Sequence, residues 1–303
     1  MKTNKKMEHI LKRKQLYMML IPFLLYYIFF LYRPLIGLQI AFKDYSLFKG
    51  MAESEWIGFD HFIEFFSGPY FFRLLKNTFL INLYGLVIGF PIPIILALML
   101  NELKNLKLKK FVQTATYLPH FISAVVVAGI VTNLLAPGSG LFNVIIEKLG
   151  GEKIYFLTKP EYFRGIFTGM NIWKSSGYGA IVYLAALSGV DVNLYEAARI
   201  DGASKWKQLI NVTIPAIMPT IIIMLILRLG AMLSVGFESI ILLYQPSTYK
   251  TADVISSYVY RVGLTDSRYD FATAIGIFNS IVSLILIWLS NMFSRRFSET
   301  SLW

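Results

Sequence analysis

Only 16% of the 303 residues are charged and 56% are hydrophobic, whereas a soluble domain carries about 25% charged residues. That balance excludes a water-soluble globular protein, and the absence of cysteine excludes a thiol nucleophile or a disulfide framework. The formal net charge of +11 leaves nucleic acid and the membrane surface as partners, and its distribution decides between them.

A basic tail, 1–15, opens the chain. Six apolar blocks follow at 16–32, 78–100, 111–135, 164–187, 214–236 and 271–293, each near the roughly 20 residues that a helix needs to cross a bilayer core. They predict an all-α polytopic membrane helix bundle of about six transmembrane helices over 16–293, with a second tail at 294–303. The basic flank of the first block is like that of a signal peptide. Its apolar run is longer than a signal core, however, and Arg33-Pro34-Leu35 follows in place of a small-residue cleavage site, so it reads as a retained anchor and first span. In 33–77, Phe59, Phe62, Ile63 and Phe66 have the spacing of an apolar helical stripe, with Asp60, His61 and Glu64 on other faces. This predicts a short interfacial helix ended by Gly68-Pro69. Segment 237–270 is polar and aromatic and long for a loop, which suits a cap over a pore mouth.

Charge orients the blocks. The tails and the 101–110 and 188–213 loops together hold fifteen Lys/Arg against six acids, while 33–77, 136–164 and 237–270 hold twelve of each. By the positive-inside tendency, both termini and the 188–213 loop face the cytoplasm. The basic excess therefore marks topology and contact with anionic lipid rather than nucleic acid.

No G-x-x-x-x-G-K-[ST] motif is present, so the chain has no phosphate-cradling loop of its own. His9, His61 and His120 are too scattered to form a metal cluster. None of the six blocks contains Asp or Glu, which argues against an intramembrane carboxylate relay. An ion-gradient-driven secondary sugar transporter, the alternative reading, would show paired repeats and intramembrane acids. A membrane enzyme would show a catalytic cluster. If solute moves uphill, the energy enters from another subunit.

The 188–213 loop is amphipathic. Leu194, Ala197 and Ala198 share one helical face; after the Gly202 break, Trp206, Leu209 and Ile210 share another. Two short helices would project a compact apolar surface ringed by Arg199, Lys205 and Lys207, and Pro215 suits the first turn of the next span. The pattern Glu196-Ala197-Ala198, Gly202, Val212, Ile214 and Pro215 resembles the signature of permease subunits of binding-protein-dependent ABC importers, with Val212 and Ile214 in place of the commoner Ile and Leu. Stretches such as Ile40-Ala41-Phe42-Lys43-Asp44-Tyr45, Tyr117-Leu118-Pro119-His120-Phe121 and Gly276-Ile277-Phe278-Asn279-Ser280 extend the likeness over nearly the whole chain, to the LplB-type oligosaccharide permeases of the carbohydrate-uptake branch.

The resemblance implies a type I ABC importer permease fold and a subunit that is not itself an enzyme. It makes 188–215 the coupling-helix loop, with Tyr195, Glu196, Ala197, Ala198, Asp201, Gly202, Ala203, Trp206 and Pro215 meeting a cytoplasmic ATPase dimer. That ATPase would bind ATP and Mg; this chain would hold no cofactor. It further implies a second permease chain in a heterodimer, an extracellular solute-binding protein, an oligosaccharide substrate moved by alternating access, and the inner membrane of a bacterium.

Sugar hydroxyls are read by polar side chains and aromatic faces set in an apolar wall. Candidates for the solute path are Asn82 and Tyr84 on the second block, Asn171, Trp173, Lys174, Tyr178 and Tyr183 on the fourth, Arg228 on the fifth and Asn279 on the sixth. Trp173 and the tyrosines equally suit interfacial packing. A charge within a span usually faces a cavity or a partner. Lys174 and Arg228 must therefore meet water, backbone carbonyls, the second permease or an anionic substrate such as an acidic sugar, unless Lys174 snorkels to the interface.

Overall fold

The computed structural model describes residues 13–231 and 236–297, with side chains at all of these except 290 and 293–297. Most of the two predicted tails and residues 232–235 of the predicted fifth block lie outside the described residues. The chain divides into two compact units, one of residues 1–67 with 260–277, the other of 68–259 with 278–303.

The first unit contains helix α1 (Lys14–Phe42), a two-residue antiparallel ribbon of β1 (Lys43–Asp44) and β2 (Glu55–Trp56), and helix α2 (Asp60–Ser67). The expected short helix is thus present, but its apolar stripe is not the packed face. Phe59, Ile63 and Phe66 are exposed, and the buried residues are His61 and Phe65. His61 is held by the Lys43 carbonyl at 3.0 Å and lies 3.3 Å from Asp270. His61 can be buried beside Phe65 because its Nε2 is hydrogen-bonded.

The second unit contains α3 (Phe71–Glu102), α4 (Leu106–Phe121) and α5 (Ala124–Leu134), and α6 (Leu141–Lys148). These are followed by α7 (Pro160–Ser188) and α8 (Val192–Ile200), α9 (Lys205–Gly230) and α10 (Phe237–Leu243). Helix α11 (Tyr269–Phe297) begins in the first unit and ends in the second. Among the described residues, each of the six predicted blocks falls largely on helix. Among the described residues, four helices are singly long and apolar enough to cross a membrane, and up to six spans result if the bent pairs α4/α5 (104°) and α7/α8 (69°) each count as one.

Prolines explain how long helices survive. Wide turns with i→i+5 hydrogen bonding occupy Tyr27–Tyr32, Gly85–Gly89 and Leu209–Thr213. Each ends two residues before a proline: Pro34, Pro91 and Pro215. A helical proline clashes with the carbonyl four residues back, and in all three cases that carbonyl belongs to the widened turn, which swings it clear. Pro22 and Pro219 sit in ordinary helical turns. One consequence corrects the predicted loop: α9 runs unbroken from Lys205 through Pro215, so the second short helix is the first turns of the span itself.

The predicted third block, 111–135, is broken rather than continuous. Leu118–Phe121 tightens into a 3-10 turn around Pro119, Ile122 is extended, and Ser123 starts a new helix by accepting from the Val126 N–H at 3.3 Å. The 237–270 segment is likewise not a plain loop. It folds as short helices at Phe237–Leu243, Tyr249–Ala252 and Ile255–Tyr260. A buried polar network pins it: the Asn77 amide donates to the Asp253 carbonyl at 2.9 Å and accepts from Arg164 at 2.8 Å. Arg73 lies 3.3 Å from the Asp253 carboxylate, whose other oxygen accepts from Ser257 at 2.9 Å. Buried charge is tolerable there because it is paired and hydrogen-bonded.

Two apolar clusters organise the second unit. One joins Ile81 of α3, Val127 of α5, Phe163 and Phe167 of α7, and Ile240 of α10. The other, toward α8, joins Ala97 of α3, Tyr183 and Leu187 of α7 and Ile217 of α9.

Candidate functional site

Two features stand out in the second unit: an exposed elbow at one end and a cavity between the apolar clusters. The elbow is the motif-bearing loop. Asp191 caps α8 by accepting from the Asn193 N–H at 2.9 Å. At the other end Ala203 N–H donates to Ala198 O at 2.8 Å and Gly202 N–H to Arg199 O at 3.0 Å, a helix stop that needs a left-handed residue. Gly202 supplies it, with φ +74°. Ser204 then caps α9, accepting from the Lys207 N–H at 3.4 Å.

The inner side of the elbow is braced: the Gln208 amide donates to Ala203 O at 2.9 Å, and the Tyr195 hydroxyl meets Thr213 at 3.0 Å. Lys205 reaches Glu102 at the end of α3 at 3.1 Å. The outer side is open. Glu196, Ala197, Asp201, Gly202 and Pro215 are exposed, Ala198 and Ala203 half-buried, and Ile200 and Trp206 are 87% and 69% exposed. A rigid frame therefore presents large apolar side chains to solvent, as a docking surface does.

The cavity has a volume of about 540 Å³, within the range of about 300–1,000 Å³ usual for small-molecule sites. Helix α3 contributes Asn82, Gly85, Gly89, Phe90 and Pro93, and the 3-10 turn of α4 contributes His120. From α7 come Phe167, Thr168, Asn171, Ser175, Ser176, Tyr178 and Tyr183, and from α9 Met224, Leu227 and Arg228. Irregular backbone at this depth is tolerated where it lines a cavity, and both the Gly85–Gly89 wide turn and the α4 break do so. His120 and Tyr178 stack face to face, ring centroids 3.9 Å apart. The Asn82 and Asn171 amides each donate to the carbonyl four residues back, at 2.9 and 2.8 Å, so their oxygens remain as acceptors.

The structure thus brings together Asn82, Asn171, Tyr178, Tyr183 and Arg228 of the predicted set. It does not bring in Tyr84, Trp173, Lys174 or Asn279. Trp173 lines a separate apolar groove beside Gly165 and Gly169, Lys174 is half-buried away from both cavities, and the Asn279 Oδ1 is buried with no hydrogen-bond partner among the described residues. Sequence reasoning missed His120, Thr168, Ser175 and Ser176. His120 sits in a break that the hydropathy of 111–135 conceals, whereas Thr168 and Ser175 lie three and four residues along α7 from Asn171 and Ser176 lies five from it, so for the first two helical spacing from Asn171 was the available signal.

A bundle of apolar helices with a part-polar cavity among its spans and a rigid, exposed elbow at one end is a membrane transport subunit by architecture. Residues 89–299 match the family described as binding-protein-dependent transport system inner membrane component, and the chain belongs to that family.

It is 43% identical to the polygalacturonan/rhamnogalacturonan transport system permease protein YteP of Bacillus subtilis (strain 168), over 97% of this chain and 92% of that protein. It is 44% identical to protein LplB of the same organism, over 96% and 92%. Among solved structures it is similar to a chain of a bacterial ABC transporter involved in the import of the acidic polysaccharide alginate. The TM-score is 0.90 and the identity 49%, over 96% of this chain and 99% of that one. A second structure of an alginate ABC transporter, in complex with an alginate pentasaccharide-bound periplasmic protein, matches with TM-score 0.90 and 48% identity over 97% and 99%.

Proposed function

We propose that the chain is one of two permease subunits of an ATP-driven oligosaccharide importer in the bacterial cytoplasmic membrane, with the elbow seated on a separate ATPase dimer and the cavity forming part of the solute path. The observation that carries this reading is the continuity of α9. One helix bears Trp206 in the exposed elbow and Arg228 in the cavity wall, about 33 Å apart along its axis at 1.5 Å per residue. A displacement imposed on the elbow therefore moves the cavity wall directly, as alternating access requires.

Within this reading Glu196, Ala197, Ala198, Asp201 and Trp206 form the surface that meets the ATPase, Gly202 and Ala203 set its bend, and Tyr195 braces it from inside. ATP and Mg are bound by the ATPase and none by this chain. The basic loop segments support a cytoplasmic position for the elbow and both termini. The polysaccharide importers among the relatives support an oligosaccharide substrate, and the periplasmic protein in one of the alginate structures supports delivery by an extracellular solute-binding protein. A second, similar permease completes the path as a heterodimer, with Tyr84, Trp173 and Lys174 left for its surface or for lipid.

Uptake of labelled oligosaccharide in intact cells tests the reading. It is expected to stop when the companion ATPase is made catalytically dead and to persist when the proton gradient is collapsed; the reverse pattern would establish a gradient-driven carrier. Glu196→Ala is expected to lower uptake at least about tenfold, the scale of truncating one buried charged contact at an interface, with the chain still inserted. Unchanged import by that variant would remove Glu196 from the coupling surface.

A further inference from the structure

The start of α4 carries positive charge that the fold itself does not use. Lys104, Lys107, Lys109 and Lys110 fall within seven residues, and no Asp or Glu occurs between residues 103 and 146. None of the four side chains has a hydrogen-bond or ion-pair partner among the described residues. Cations stabilise a helix at its C-terminus, where the dipole is negative, and these lysines stand at the opposite end. That end is already capped by Asn105, whose side chain accepts from the Lys107 and Leu108 N–H groups at 3.0 and 3.1 Å. Local helix stability therefore does not account for the lysines. The positive-inside tendency asks for their number but not for their arrangement on the helix.

That arrangement is ordered. Lys107, Phe111, Ala115 and Leu118 follow one another along one face of α4 at i, i+4, i+8 and i+11, with Lys110 and Thr114 beside them, and all six are exposed. Phe111 and Leu118 are 69% and 61% exposed. Lys109 is half-buried on the other side of the helix, and Lys104 precedes it. The face thus begins with two lysines one turn apart, their Cβ atoms about 5–6 Å from each other. It continues as an apolar track about 10 Å long at 1.5 Å per residue. Charge lies at the loop end and apolar surface within the third apolar block, the same order as the headgroup and acyl chain of a phospholipid. Lysine stems can cover apolar surface while their ammonium groups reach the headgroup level. A soluble partner would meet the loop end alone and leave the apolar track uncovered.

We propose that this face of α4 binds an anionic phospholipid of the leaflet on the elbow's side, with the phosphate between Lys107 and Lys110 and an acyl chain along Phe111, Ala115 and Leu118. None of these residues lines the solute cavity, and the site is independent of what the chain transports. Residues 103–105 alone separate α4 from Glu102, which holds Lys205 of α9 at 3.1 Å, so the lipid adjoins the foot of the elbow.

The test is photo-crosslinking to the purified full-length chain in phosphatidylcholine nanodiscs. These carry a trace of either photoactivatable phosphatidylglycerol or photoactivatable phosphatidylcholine, with the reactive group on the acyl chain. Crosslinks to residues 107–118 are expected to be about fivefold or more richer with phosphatidylglycerol, the scale of one near-surface lysine acting on an anionic lipid. This arm uses unaltered protein and so does not depend on how a variant folds. Lys107→Gln with Lys110→Gln is expected to abolish that preference. Lys104→Gln with Lys109→Gln removes the same charge from the same segment but off the face, and is expected to lower the preference less than about twofold. Equal crosslinking of the two lipids to the unaltered chain overturns the site. Equal losses from the two double variants overturn it as well, leaving diffuse attraction of lipid to charge. An undiminished preference in Lys107→Gln with Lys110→Gln, together with weaker retention of the companion ATPase, overturns it in favour of a contact with that subunit.

Discussion

Glu64 and Arg268 meet through paired hydrogen bonds, Nη1 to Oε1 at 2.8 Å and Nη2 to Oε2 at 2.7 Å. The Arg268 hydrogen bonds hold the Glu64 carboxyl below its ordinary value of 4.5, against the opposing effect of partial burial. A carboxylate whose folded pKa is depressed contributes stability above its unfolded pKa and loses it as pH falls through the folded value. Both side chains are nearly half exposed, so the contribution is about 1 kcal/mol or less. Glu64→Gln is accordingly expected to lower the apparent melting temperature by about 2 °C at pH 7, and the gap to close as the pH falls through the lowered pKa of Glu64 and its carboxyl becomes neutral. A gap that persists at low pH would mean that the pair is not its source. The sequence places Glu64 away from the apolar stripe of α2 but carries no sign of a partner 204 residues distant.

At the scale of the element, the elbow depends on one backbone angle. Gly202 has φ +74°, and a Cβ there would meet nothing within 4 Å, so any penalty for a side chain is conformational rather than steric. An L-residue in that region costs roughly 1–2 kcal/mol, less for asparagine. The expected order of damage is therefore Asn, then Ala, then Val. Trypsin cleavage at Arg199 and Lys205, which flank the turn, reads it out: about 1 kcal/mol corresponds to a roughly fivefold faster cut when local opening limits the rate. Indistinguishable cleavage of Gly202→Val and the parent would show that the turn tolerates other geometries. The glycine break was legible because such a residue acts locally. The continuity of α9 was not. Pro215 reads as a helix start, and only the wide turn at Leu209–Thr213 lets the helix pass through it.

At the scale of the molecule, close approach between helices separates glycines that look alike in the sequence. Gly177 of α7 faces the backbone of Thr116 in α4 so closely that a Cβ would overlap its carbonyl, whereas Gly165 and Gly169 of the same helix have open space. Because a backbone carbonyl cannot rotate away, Gly177→Ala is expected to lower stability by about 1–3 kcal/mol, the scale of overpacking. Gly165→Ala and Gly169→Ala stay within about 0.5 kcal/mol. Thermal unfolding of the three variants side by side tests this; equal melting temperatures would show that α4 and α7 can separate freely. That contact also seats the α4 turn, and with it His120, against Tyr178.

Six apolar blocks, the paucity of charge, the loop motif and the lone arginine of the fifth block are one-dimensional properties. The chain alone therefore determined that this is a polytopic helical membrane protein with a polar elbow of permease type. Which polar groups share a cavity depends on how helices are rotated, broken and brought close, and such contacts join residues far apart in sequence. Only the tertiary structure decided that Arg228, Thr168 and the His120–Tyr178 stack line one space, that Tyr84, Trp173 and Lys174 lie outside it, and that elbow and cavity wall share a single helix.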